Sequence, residues 1–101
     1  MLDAARDAIA FMHGKSRSDL DRDRKLLLAV VKCIEIIGEA AAKVSAGQRT
    51  ALPTVPWPAI TGMRNRLIHG YYDIDHDQVS ETVAKDLPPL VESLRRALGE
   101  S

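Results

Sequence analysis

The chain has 101 residues, and its 14 lysines and arginines balance 14 aspartates and glutamates. A domain of this size sits near the lower limit at which a single core suffices, so pairing with a second copy would add useful buried surface. The charge balance excludes the broad positive field of many nucleic-acid binders, so any phosphate recognition must be local.

The single cysteine, Cys33, excludes an intramolecular disulfide. It lies in an apolar helical run and reads as a small core residue rather than a reactive thiol. No secretory leader pattern opens the chain, and no apolar run approaches the roughly 18–20 residues of a membrane span. A cytoplasmic protein is expected.

In chain order, Leu2, Ala5, Ile9 and Met12 recur at helical spacing and Gly14 follows as a C-terminal cap, which predicts a short first helix. The pattern is already running at residue 1 with no N-cap before it, so some residues are expected to be missing from this start. Ser16-Arg17-Ser18-Asp19 is a capping signal that opens a charged, solvated stretch through Lys25.

A long second helix is expected from about Asp21 to Ser45. Leu27, Val30, Ile34, Ile37, Ala41 and Val44 form one stripe, and Leu26, Ala29, Cys33, Ile36 and Ala40 form another beside it. Two adjacent stripes suit a helix central to a bundle or shared with a dimer partner. Glu35 and Glu39 lie on the remaining face, solvated or within reach of Arg64 or Arg66. Gly38 predicts close approach of another helix, since a mid-helix glycine costs about 1 kcal/mol relative to alanine.

Residues 46–56 read as a loop with one helical turn. Pro56 and Pro58 suit the first turn of a third helix, predicted from Pro56 to His69 with Gly70 as its left-handed cap and Trp57 in the core. The acidic turn Asp73-Ile74-Asp75-His76-Asp77 lacks the glycine and distal glutamate of a calcium loop; Asp77 reads as a helix N-cap and His76 as exposed. In the last helix Val79, Val83, Leu87, Leu90, Val91, Leu94 and Leu98 point inward, and Pro88-Pro89 should kink or interrupt it.

Reactive chemistry concentrates in Gly62–Tyr72. With Arg64 set at zero on an ideal helix, Trp57 falls near about 20°, Ile60 near 320°, Leu67 near 300° and Ile68 near 40°. Arg64 is therefore expected inside the apolar arc, where a guanidinium needs a carboxylate, a phosphate or a wet cleft. Arg64 and His69 lie five residues apart, about 140° around a helix, but a long arginine and a histidine at a helix end can reach one cleft. A cation beside an imidazole, which ordinarily titrates near about pH 6.5, suits cleavage of RNA phosphodiesters. On spacing alone, a buried ion pair and a capping histidine are the more ordinary reading.

At these residues the chain resembles a known family. Arg64-Asn65-x-x-x-His69-x-Tyr71 matches the Arg-x-x-x-x-His-x-Tyr motif of the HepT toxins, the DUF86 branch of the HEPN superfamily. Met1–Arg6, Glu35–Ala41, Pro56-Trp57, Gly62–Asn65 and Asp86–Leu90 also look like that family's landmarks, so the likeness spans nearly the whole chain. The first helix is shorter at its start than is usual in the family.

The resemblance implies a single all-α HEPN-type domain over residues 1–101. It would be a bundle of four to five helices with a long central helix two, dimeric, the two motifs facing each other. The implied activity is metal-independent endo- or exoribonuclease action on tRNA or mRNA, as the toxin of a type II/VII-like toxin–antitoxin system. No cofactor or metal is implied.

The implied partner is a minimal nucleotidyltransferase (MNT-type) antitoxin that transfers AMP to the motif tyrosine. Carried onto this sequence, Arg64 and His69 are catalytic, Asn65 and Arg66 supporting, and Tyr71 the AMPylated residue, with Tyr72 the alternative. A different reading is a non-catalytic, nucleotide-binding or substrate-platform partner of such a nucleotidyltransferase.

Overall fold

The computed structural model describes residues 1–69 and 73–99, with His69 through its backbone alone. The fold is an all-α bundle with one minimal ladder. In order it comprises α1 (Leu2–Met12), α2 (Arg17–Arg22), α3 (Arg24–Ala42), α4 (Ala46–Ala51), α5 (Trp57–Thr61), α6 (Met63–Leu67), β1 (Ile68–His69), β2 (Asp73–Ile74), α7 (His76–Glu81), a π-helical segment (Thr82–Asp86) and α8 (Leu87–Ala97). Four rods carry the architecture: α1, α3, the α5–α6 pair and the α7–π–α8 run. The expected all-α bundle is therefore what forms.

The long helix α3 is the spine. Leu27, Val30, Ile34, Ile37 and Ala41 of its first stripe are buried, three of them with no exposed surface at all besides Ala41. Burying each large apolar side chain contributes about 1.5–3 kcal/mol. Around α3 pack α1, α2, α5, α6 and α7, while α8 closes against α1. Ala5 and Ala8, both fully buried, let α1 lie close along the spine. Gly38 faces α5: a Cβ there would stand 3.8 Å from the Ile60 carbonyl oxygen, an ordinary contact at a close helix crossing.

Cys33 is buried, and burial, aided by Asp7, pushes its thiol pKa up. That suits a core residue and opposes thiolate chemistry. Trp57 is also core; its indole N–H donates to the Leu52 carbonyl at 3.1 Å.

The expected second helix is in fact two. Asp23 adopts extended backbone and accepts from the Leu26 N–H at 3.1 Å, capping α3 and ending α2 one residue earlier. Ser16 and Asp19 form the expected capping box. The cap of α7 is Asp75, not Asp77: its carboxylate accepts from the Gln78 N–H at 3.0 Å. Asp77 instead turns toward Arg17. Leu98 was expected inside and is 66 % exposed, because α8 ends at Ala97.

The third helix departs most from expectation. Thr61 donates its hydroxyl back to the carbonyls of Trp57 (3.2 Å) and Pro58 (3.1 Å), a pattern that bends helices, and α5 gives way to α6 at Gly62. The helix then stops at Leu67 rather than His69. The Leu67 carbonyl accepts from the Asp75 N–H at 2.6 Å, and Ile68 and His69 pair antiparallel with Ile74 and Asp73. The predicted cap Gly70 lies outside the described residues.

Pro88-Pro89 interrupts the last rod as expected, in a particular form. Neither proline offers an N–H, and each ring would crowd the carbonyl four residues back. The chain widens instead into the π segment, closed by the Leu87 N–H donating to Thr82 O.

Four polar side chains tie α2 to α7. Arg17 pairs with Asp21 at 2.7 Å and with Asp77, and His76 bonds the same Asp21 oxygen through Nδ1. His76 is thus half-buried and partnered rather than simply exposed. The His76 bond, then that of Arg17, holds the Asp21 carboxyl below its ordinary value of 3.8. A depressed carboxylate contributes stability that is complete above the unfolded value and is lost as pH falls through the folded one. Thermal denaturation in the acid range should therefore show a midpoint that drops below about pH 4, with Asp21→Asn flattening that drop. An unchanged acid limb in Asp21→Asn would remove this cluster as its cause.

Candidate functional site

The segment Arg64–His69 runs through the last turn of α6 into β1. On α6, Met63 and Leu67 are buried, one turn apart, and anchor the helix to α3. Arg64 does not lie in the apolar arc as expected. Its side chain is 51 % exposed. The break at Gly62 puts Trp57 and Ile60 in a separate helix and the ladder removes Ile68, so the apolar arc of α6 shrinks to Met63 and Leu67, about 260° to 300°, with Arg64 beside its margin.

There Arg64 meets Glu35 of α3, with Nε 3.5 Å from Oε1. Of the two glutamates weighed from the sequence, Glu35 is the one that reaches it; its side chain is only 24 % exposed. The carboxylate lies against the Nε edge of the guanidinium while half of the side chain faces solvent.

Arg66 points elsewhere. Two positions on, about 200° around the helix, it donates Nη2 to the Ala59 carbonyl at 3.1 Å. It lines a groove between α5–α6 and the last rod, together with Lys85 and Asp86. Asn65 is exposed. The backbone of His69 is held in β1 opposite Asp73. Tyr71 and Tyr72 lie outside the described residues.

The structure thus joins Arg64 to Glu35, fixes the backbone of His69 two residues beyond α6, and sends Arg66 to a separate groove. Two contributors were missed in the sequence. Thr61 redirects the helix, and a threonine directly before a glycine in mid-helix was the available signal. Lys85 sits at the groove because the π segment turns it there; nothing local marked it.

The face of α3 beside Arg64 is unusual. Leu28 and Ile36 on it are 46 % and 41 % exposed, and Lys32, Glu35 and Glu39 alternate with them at helical spacing. The second stripe expected on this helix is only partly covered.

The acidic turn's carboxylates diverge, Asp75 to its cap and Asp77 to Arg17. Among the described residues no group of three or more histidines, cysteines or acids is placed to hold a metal ion. No helix among them is long and apolar enough to cross a membrane.

A helical bundle that presents an arginine on a short helix, braced by a glutamate of its central helix, with a histidine five residues on, defines a class of small helical proteins with a polar site at the surface. Within that class, the chain belongs to the ribonuclease HepT-like family, whose pattern matches residues 1–97. A Methanocaldococcus jannaschii protein named "Putative RNase MJ1380" is 33% identical over 89% of this chain and 83% of its own. "Putative RNase TTE0752" of Caldanaerobacter subterraneus subsp. tengcongensis is 36% identical over 84% of this chain and 76% of its own. "Probable ribonuclease HepT" of Thermococcus cleftensis is 37% identical over 67% of this chain and 62% of its own. No solved structure matches the chain.

The Glu35–Arg64 pair is exposed enough that its worth lies in orientation rather than stability. A double-mutant cycle with Glu35→Ala and Arg64→Ala, read by urea denaturation, should give a coupling energy below about 1 kcal/mol. A coupling of several kcal/mol would show that the pair holds the fold together.

Proposed function

We propose that this protein is a metal-independent ribonuclease acting as a homodimer, the toxin of a toxin–antitoxin pair. The observation that carries the reading is Arg64: its Nε edge is braced by Glu35 while half its side chain faces solvent, on the same short segment as His69, in a chain of the ribonuclease HepT-like family. The exposed Leu28 and Ile36 beside it, on a molecule only 17 Å in its shortest extent, supply an apolar face for a second copy. A two-fold axis there would set two Arg/His pairs across one cleft.

The chemistry follows from the groups. The 2′-oxygen of a ribose attacks the neighbouring phosphorus, a bond forms between them, and the 5′-oxygen of the next nucleotide leaves. One imidazole takes the 2′-hydroxyl proton or supplies one to the departing oxygen. Arg64 stabilises the extra negative charge on the phosphoryl oxygens, and Asn65 supports it by hydrogen bonding. Residues supplied by both copies would let one imidazole act as base and the other as acid. tRNA and mRNA are the expected substrates.

Control falls to a nucleotidyltransferase antitoxin. It joins the Tyr71 oxygen to the α-phosphorus of ATP; pyrophosphate leaves and the phenolic proton is lost. The added AMP places a bulky anion two residues from His69, blocking an RNA phosphate by charge and volume.

Purified protein incubated with total tRNA in a metal chelator should cleave it, and His69→Ala or Arg64→Ala should each slow cleavage by about 10²-fold or more. Full activity in His69→Ala would overturn the assignment. No cleavage by the wild type, together with nucleotide binding weakened by Arg64→Ala, would favour the platform reading.

After incubation with the antitoxin and ATP, mass spectrometry should find units of about 329 Da on Tyr71. Continued silencing of Tyr71→Phe by AMP transfer would move the modification to Tyr72.

A further inference from the structure

We propose that the groove lined by Arg66 and Lys85 is a second seat for the RNA strand, taking one nucleotide a short distance from the scissile phosphate. The proposal rests on the ribonuclease reading and names a binding site that this reading does not use. The groove lies between α5–α6 and the junction of the π segment with α8, and holds about 270 Å³. Its floor is apolar and buried, with Leu90 only 2 % exposed. Pro56 and Pro89 form exposed walls, and Arg66, Lys85 and Asp86 form the polar rim.

Each part suits a nucleotide of a single strand. A shallow apolar concavity accepts the face of a base, which every base presents, so such seats tolerate any sequence. The two cations suit a phosphate. Arg66 is aimed by its bond to the Ala59 carbonyl, which occupies Nη2. Lys85 is 73 % exposed and, among the described residues, held only by a 4.0 Å approach to Glu81, so it can swing to a ligand with little to give up. Asp86 opposes a phosphate but can accept from a ribose hydroxyl or an exocyclic amine.

Position favours RNA over a protein segment as the occupant. Arg64 and Arg66 project from opposite sides of one helix, so a strand whose phosphate meets Arg64 needs to pass around half of a rod roughly 10–12 Å across, on the order of 15–20 Å of path, to reach Arg66. That is a step of a few nucleotides. The chain as a whole is neutral, with 14 charges of each sign, so two cations at one apolar groove are a local departure from its balance.

The test compares single-stranded RNA of two lengths on the full chain carrying His69→Ala, to prevent turnover. Fluorescence anisotropy follows a dinucleotide, which is too short to span both seats, and an octanucleotide, which can span both. Adding Arg66→Ala and Lys85→Ala together should weaken octanucleotide binding by about tenfold or more and lower its salt dependence by about 0.7 for each lost phosphate contact, with a much smaller effect on the dinucleotide, which engages one seat at a time. Ala59→Trp, which fills the groove without touching a charge, should weaken the octanucleotide far more than the dinucleotide.

Equal octanucleotide affinity in all these variants would overturn the second seat while leaving cleavage at Arg64 intact. Loss of antitoxin binding in the variants with RNA binding unchanged would assign the groove to the partner protein instead. If the His69→Ala protein binds neither RNA and the wild type cleaves none, the ribonuclease reading fails first, and the second seat with it.

Discussion

The burial of one face of α3 is the constraint on which the rest of the molecule depends. Val30, Ile34, Ile37 and Ala41 have no exposed surface, and every rod of the bundle touches α3 or touches a neighbour that does. Dense interiors of this kind respond to a change of even one methylene group, so the helices around α3 have little freedom to slide. The site inherits that rigidity. Glu35 lies just beyond the buried Ile34, so the carboxylate facing Arg64 is placed by the same helix whose core face anchors Met63 and Leu67 of α6.

Charge in this neutral chain is spent in separate places for separate ends. Arg17, Asp21, His76 and Asp77 close on one another and tie α2 to α7. Arg95 and Arg96 both pair with Glu92 on α8. Arg64 differs, because its partner on α3 meets only the Nε edge of the guanidinium. An arginine held from behind keeps its direction while its forward surface stays available to an incoming anion, a form of preorganisation that lowers the entropy lost on binding.

How much of this was legible in the sequence depended on whether the deciding contacts were local. The stripe of α3, the capping box at Ser16 and Asp19, and the break at Pro88-Pro89 were readable because their signals lie within a few residues. The stop at Leu67 was not, since it depends on the Asp75 N–H reaching back eight positions and on a ladder between residues that helical periodicity cannot relate. Once that stop and the Thr61 bend are lost, the phase of Arg64 is lost with them, and a marginal residue looks buried. The motif residues themselves were recognised by resemblance; physics located Arg64 and its glutamate, and the side chains of His69, Tyr71 and Tyr72 stand outside the described structure.

The π segment at Thr82–Asp86 has a consequence for chain length. A π turn accommodates one more residue than an α turn over the same rise, and such turns are common beside functional sites. Five residues of π turn sweep about the same angle as four of α, so the extra residue is absorbed inside Thr82–Asp86 and the helix after it keeps its phase. Val79 before the segment and Leu87, Leu90 and Leu94 after it therefore face the same core. Deleting one residue within the segment would restore regular α hydrogen bonding and leave that apolar face in register. The same deletion after Leu87, where no such slack exists, would rotate the remaining turns by about 100° and carry Leu90 and Leu94 off the core.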